Sequence, residues 1–328
     1  MSFRPTEPFV PARGLASPHA QTIYASIARP SLVPPLQRAR WELPDGDFVD
    51  LDSFEGPAGA PHVVALHGLE GSSRAGYITA ILRGAAERGW GATALNFRSC
   101  GGEPNRLARS YHSGHFDDAL SVMVSLRQRL TGPLYAVGFS LGANVLLRLL
   151  EETGDNAPVQ AAAAVSAPYD LDVCSRMIDG PGPFQHLYRA RFLRTLKRKA
   201  HEKLRRFPGA FDEAALRRVR TLRDFDDAVT APLNGFRDAG HYYAECSSGP
   251  HLHAIRRPTL LLSAKDDPMI PASTHPRDVD DSPYLNLVVT ERGGHVGFVA
   301  GGPLAPSFWG EAQVLAFFAA RNDEARPA

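Results

Sequence analysis

Residues 136–144 read AVGFSLGAN, in which the central serine has a glycine two places before it and another two places after. Leu134, Tyr135, Ala136 and Val137 end an apolar run, and Val145, Leu146, Leu147 and Leu149 recur at helical spacing. Ser140 therefore sits where a buried strand turns into a helix. A side chain held on so tight a turn points beyond the carboxyl end of the sheet, where open α/β sheets bind their ligands. Gly138 and Gly142 leave room for that backbone, because a Cβ at either place would strike the neighbouring strand or helix. The chemistry this permits is nucleophilic: a hydroxyl at a helix N-terminus, beside N–H groups that favour developing negative charge.

A serine hydroxyl reacts only when a base takes its proton. Of the twelve histidines, His295 stands in ERGGHVGFV, a glycine-rich loop after the last apolar run, and is the expected base. The base needs an acid to fix its tautomer. SAKDDPMIP closes the preceding run and offers Asp266 and Asp267. Asp267, four residues before Pro271, is the expected acid, and Asp266 is read as a structural residue of the turn. The order Ser, Asp, His along the chain is that of strand-end triads on open sheets. Two oxyanion donors are expected, the Leu141 N–H after the nucleophile and the Leu69 N–H in HGLEG (67–71). His67 is read as shaping that loop.

These loops can meet only if the strands carrying them run parallel. HVVALHG (62–68), GATALNFR (91–98), LYAVGFS (134–140), QAAAAVSAP (160–168), PTLLLSAKDD (258–267) and YLNLVVTERGG (284–294) are apolar runs of the kind buried on both faces. FVDLDSF (48–54) alternates instead, predicting a half-exposed strand. Helical patterns fall between them: one through Ile78, Ile81, Leu82 and Ala85, another from Asp117 to Leu130, and a last one in FWGEAQVLAFFAA (308–320). The alternation predicts an α/β chain with a mostly parallel central sheet and helices on both faces. It breaks over residues 170–240, which are helical and Arg-rich and are expected to form a lid inserted between later strands. Residues 1–40, rich in Pro and Arg, read as an irregular arm with a short helix near 20–27. The whole, 1–328, is expected to be one domain.

With the motifs in hand a resemblance emerges. HGLEGSS (67–73), NFRSCGGEPNR (96–106), YHSG (111–114), GFSLGAN (138–144), DFDDAVTAPLNGF (224–236), DDPMIP (266–271) and GGHVGF (293–298) occur in an order that resembles the YheT-type subfamily of α/β-hydrolases. The likeness runs from residue 10 to 320. It implies the α/β-hydrolase fold, with Ser140 as nucleophile, Asp267 as acid and His295 as base. It also implies a substrate among acylglycerols, phospholipids or medium-chain acyl esters, with transfer to alcohols in some members. The chain has His115, Phe116 and Ser99 where the family usually carries an acidic residue, a threonine and a glycine.

Composition sets the remaining limits. Thirty-six basic side chains against thirty-five acidic ones leave a net charge of +1, so no nucleic-acid partner is expected. Cys100, Cys174 and Cys246 are widely spaced and form no CxxC pair, which fits a reducing compartment. No signal-like or membrane-spanning apolar run is found, and a cytoplasmic protein is expected. No cofactor is implied. His112, His115, Asp117 and Asp118, and the HxH pair of His251 and His253, lack a metal framework and are read as structural, so no metal is expected. His112 to Asp117 also fits an HxxxxD acyltransferase spacing.

Positive charge is concentrated in YRARFLRTLKRKAHEKLRRF (188–207). Phe192, Leu193, Leu196, Ala200, Leu204 and Phe207 share a stripe there, with arginines and lysines around it. It reads as a lid helix with a solvated basic side, or as a surface for peripheral contact with an anionic membrane. The expected function is a serine hydrolase cleaving carboxylic, acyl or lipid-like esters through an acyl-enzyme on Ser140. Its alternatives are an acyltransferase making esters from acyl donors and alcohols, and a non-catalytic lipid- or ligand-binding protein.

Overall fold

The apolar runs lie side by side, buried on both faces except in the last, Leu285–Thr290, an edge strand whose residues 287–290 are half-buried. In chain order the body is built from α1 (Pro18–Ala28), β1 (Gln37–Glu42), β2 (Phe48–Phe54), β3 (His62–Leu66), α2 (Gly76–Ala86), β4 (Gly91–Asn96), α3 (Asp117–Arg129), β5 (Leu134–Phe139), α4 (Leu141–Thr153) and β6 (Ala161–Val165). An insertion follows with α5 (Leu171–Ile178), α6 (Pro183–Arg206), α7 (Glu213–Arg218), α8 (Leu222–Phe225), a π-helical turn at Asp226–Thr230, α9 (Ala231–Asn234) and α10 (Ala239–Cys246). The body resumes with β7 (Thr259–Ala264) and β8 (Leu285–Thr290). It closes with a small hairpin, Val299–Gly302 against Ala305–Phe308, and α11 (Trp309–Glu324). This computed structural model describes residues 3–29, 34–277, 279, 281–302 and 305–324. Parts of the arm read at 1–40, namely 1–2 and 30–33, lie outside the described residues.

The sheet has eight strands in the order β1-β2-β4-β3-β5-β6-β7-β8. From β4 to β8 every pairing is parallel, and β2 is antiparallel to both its neighbours. Helices cover both faces, as the alternation predicted. On one face Val64, Leu66 and Leu95 pack with Val122 and Met123 of α3 and Leu146 and Leu149 of α4. On the other, Val63, Ala65 and Val137 pack with Ile78, Ile81 and Leu82 of α2 and Phe317 and Phe318 of α11.

Two features depart from the sequence reading. β2 is not half-exposed: its polar residues Asp50 and Asp52 are buried. Arg40 and Arg38 of β1 cover them, at 3.2 and 2.7 Å, and Asn96 donates to Asp52 at 2.9 Å. The alternation marked an ion-paired face rather than a wet one. α6 begins at Pro183, five residues before the basic stretch recognised at 188, and Phe207 caps it.

Candidate active site

Parallel pairing brings the loops after β3, β5, β7 and β8 to one edge of the sheet. Ser140 lies at the end of β5 with φ 52° and ψ −121°, a conformation that L-residues rarely hold. Its N–H donates to Val165 O of β6 at 2.9 Å, and α4 starts at the next residue. A Cβ on Gly138 would lie 2.3 Å from Gly142 O. One on Gly142 would lie 2.4 Å from His67 O and 2.6 Å from Leu66 O. Every obstacle is backbone, so the turn has to move if either glycine gains a side chain.

His295 Nε2 is 2.9 Å from Ser140 Oγ, and its Nδ1 is 2.9 Å from Asp267 Oδ2 and 3.2 Å from Oδ1. Asp267 is held in turn by the N–H groups of Met269 and Ile270, which donate to Oδ1 at 2.8 and 3.0 Å. The carboxylate is 1% exposed and the imidazole 10%. With Nδ1 donating to Asp267, Nε2 is left to accept the Ser140 proton. Asp266 turns to the backbone of the base loop, where Oδ1 accepts the Gly294 N–H at 2.9 Å; burial pushes its carboxyl up.

Across the cleft, His67 pins the loop that contains Leu69. Nδ1–H donates to Gly68 O at 2.7 Å, and Nε2 accepts the Phe97 N–H at 3.2 Å. Burial drives this imidazole down to about 4, which keeps it neutral and able to do both. Tyr77 OH accepts the Gly68 N–H at 3.0 Å. Leu69 and Leu141 line the same cavity as Ser140 and His295, and neither of their N–H groups has an acceptor among the described residues.

That cavity holds about 660 Å³. Leu171, Ile178, Phe192, Leu196, Phe225 and Met269 give it an apolar wall, drawn mostly from the insertion. Another part is polar, and sequence reasoning missed it. Lys199 and Lys203 were read as part of a solvated basic side, yet both turn inward. Lys199 Nζ donates to Glu70 Oε1 at 2.8 Å and to Cys100 Sγ at 3.3 Å. Tyr111 OH accepts the Glu70 N–H and donates back to Glu70 Oε1, both at 2.9 Å. Lys203 Nζ donates to Asn105 Oδ1 and Leu107 O at 3.0 Å, and burial brings its ammonium down to about 8. The signal was present in the spacing, since Leu196, Lys199 and Lys203 share one face of a helix. Arg191, Arg194, Arg198 and Arg205 remain exposed.

Other candidates separate. His115 Nε2 is 3.5 Å from Asp118 and 3.8 Å from Asp117, whereas His112 Nδ1 accepts the Gly114 N–H at 3.2 Å, so the HxxxxD spacing forms no pair. His251 and His253 are exposed on either side of buried Leu252. Among the described residues no group of three or more His, Cys, Asp or Glu could hold a metal ion.

The sequence pattern of the family described as alpha/beta hydrolase fold matches residues 61–301. The chain belongs to the α/β-hydrolase family. Within that family this hydrolase is of YheT type. It is 41% identical to the "Putative esterase YheT" of Escherichia coli (strain K12), over 95% of this chain and 93% of that one. It is 31% identical to the monoacylglycerol lipase of Saccharomyces cerevisiae, over 73% of this chain and 55% of the lipase. Among solved structures, the Pyrococcus furiosus esterase Pf2001 has the same fold, with a TM-score of 0.56 at 16% identity, covering 89% of this hydrolase and 98% of that chain. No helix among the described residues is long and apolar enough to cross a membrane.

Proposed function

We propose that the chain is a serine hydrolase that cleaves carboxylic esters through an acyl-enzyme on Ser140. The observation that carries this reading is the pair of 2.9 Å contacts on one imidazole, His295 Nε2 to Ser140 Oγ and His295 Nδ1 to Asp267 Oδ2. In the reaction, His295 takes the hydroxyl proton while Ser140 Oγ bonds to the ester carbonyl carbon. The oxyanion accepts hydrogen bonds from the N–H groups of Leu141 and Leu69, both donors free of other acceptors among the described residues. His295 returns the proton to the leaving alcohol as the ester C–O bond breaks. Water then attacks the acyl-enzyme, its proton passing to His295 and from there to the departing Ser140 Oγ. The residues of the reaction supply both proton transfer and charge stabilisation, and no cofactor enters.

The apolar wall favours an ester with a hydrocarbon acyl part, and the helical insertion, α5 to α10, acts as the lid that shapes it. A peripheral membrane contact is favoured by one observation: Phe184 and Leu187 are 39% and 53% exposed, on the helix face that continues with exposed Arg191 and Arg194.

Labelling with a fluorophosphonate and mapping of the modified residue tests the reading. A label on Ser140 supports it, and well-folded protein that takes none rejects it in favour of a binding protein. Turnover in the presence of ethanol identifies the acyltransferase alternative by the new ester it would form.

A further inference from the structure

The loop that carries His295 has an unusual backbone. Gly293 and Gly294 stand at φ 153° and 60°, and beyond the histidine Val296 and Phe298 stand at 52° and 44°. Valine and phenylalanine resist this region, and such angles persist only where the surroundings fix them. The sheet supplies part of that restraint, through Asp266 on the Gly294 N–H and through Ser166 Oγ, which accepts the Val296 N–H at 3.1 Å.

The rest comes from α1, at the opposite end of the chain. Thr22 Oγ1 accepts the N–H of His295 itself at 2.9 Å and donates to Pro18 O at 2.8 Å. Arg29 donates to Val296 O at 2.5 Å and Gly297 O at 3.1 Å, and pairs at 2.8 Å with buried Glu311. Gln21 is fully buried; its Nε2 donates to Val299 O at 3.0 Å and its Oε1 accepts the Val299 N–H at 2.6 Å. The loop comes this close to the helix only as glycine: a Cβ on Gly294 would lie 2.4 Å from Pro18 O, and one on Gly297 3.0 Å from Gln21. The same helix reaches the insertion, where His19 stacks on Phe184 with centroids 3.9 Å apart and its Nδ1 lies 2.9 Å from Tyr188 OH.

We propose that α1 sets the base, with Thr22 as a positioning residue whose hydroxyl holds the His295 backbone so that the imidazole spans Ser140 and Asp267. This rests on the serine hydrolase reading above. Thr22 touches no reacting atom; it acts by fixing the origin of the side chain that does.

The test compares Thr22→Val, which keeps the shape and loses the hydroxyl, with Thr22→Ser, which keeps the hydroxyl. Ser26→Ala serves as control, since Ser26 Oγ, on the exposed side of the same helix, bonds among the described residues only to Ile23 O. Hydrolysis of p-nitrophenyl butyrate, thermal melting and the far-downfield proton resonance of His295 Nδ1–H are measured on each full-length protein. Thr22→Val should lower kcat by about tenfold to a hundredfold with KM changed by less than about twofold, and should shift or broaden the resonance. Thr22→Ser and Ser26→Ala should retain the wild-type kcat and resonance. A folded Thr22→Val protein with wild-type kcat and an unmoved resonance overturns the inference, as does a folded Thr22→Ser protein without activity while the wild type turns over. Should the wild type take no fluorophosphonate label, the hydrolase reading fails on its own, and the resonance in Thr22→Val still decides whether the hydroxyl positions the ring.

Discussion

The Lys199 ammonium lies 2.8 Å from the Glu70 carboxylate, so a side chain of the helical insertion grips the residue next to Leu69. The Glu70 side chain is 6% exposed, on a backbone at φ 55°, and the Lys199 side chain is 21% exposed. Burial pushes the ammonium down, but Cys100 and Glu70 beside it outweigh that and leave it raised. Lys199→Met strands the carboxylate and Glu70→Gln strands the cation. Each should lower stability by about 1–3 kcal/mol. The double variant should be less destabilised than the sum of the singles, as measured by urea unfolding. If the bridge also steadies the Leu69 N–H, kcat falls in Lys199→Met at unchanged acyl-chain preference.

On the proposed mechanism, Ser140, His295 and Asp267 should be indispensable to turnover but not to folding. Ser140→Ala or His295→Ala is expected to reduce ester hydrolysis by about a thousandfold or more. Asp267→Asn, which turns the imidazole to the wrong tautomer, should cost about ten-thousandfold. Steady-state rates on a soluble p-nitrophenyl ester, with Tm measured alongside, check both.

Glu151 predicts a pH dependence of stability unrelated to activity. It lies in the last turn of α4, where burial raises its carboxyl to about 8 against the opposing charge of Arg148. The folded state therefore holds a proton that the unfolded chain releases near pH 4.5. Between those values the native form binds more protons, so this group's contribution to stability is full below pH 4.5 and is lost as pH rises through about 8. Glu151→Gln should raise Tm at pH 9 and change it little at pH 4. Calorimetry across that range, with equal gains at both ends, would sink the assignment.

Vesicles test the outer face of α6. Phe184, Leu187, Arg191, Arg194 and Arg198 are exposed there. Binding to phosphatidylglycerol vesicles should exceed binding to phosphatidylcholine vesicles and weaken with salt. Each of the three arginines replaced by alanine should reduce partitioning by about fivefold. Co-sedimentation that is indifferent to lipid charge would remove the membrane from the account.

Sheet and site were legible to different depths. The inner parallel strands announced themselves because burial on both faces makes their sequences continuously apolar, and β8, an edge strand half-buried over 287–290, kept enough of that pattern to be read with them. β1 did not, since QRARWE is an edge strand whose arginines face Asp50 and Asp52 rather than a hydrophobic core. Ser140, Asp267 and His295 could be picked out because each rides on a loop directly after a strand, and a parallel sheet sends those loops to one edge. Thr22 and Gln21 could not, since their partners are 273 and 278 residues distant in the chain and nothing in PHAQTIYASIA marks a loop to be held. Lys199 and Lys203 were hidden by company: in a stretch so rich in cations, only their spacing from Leu196 distinguishes the inward pair from the outward ones.

The bond between Thr22 and His295 closes a loop of 273 residues. Contacts so remote along the chain form late in folding, because the entropy of closing the intervening loop must be met before they reward it. On dilution from denaturant, far-ultraviolet ellipticity should return ahead of ester turnover, with the interval between them measuring how long helix and loop take to find each other.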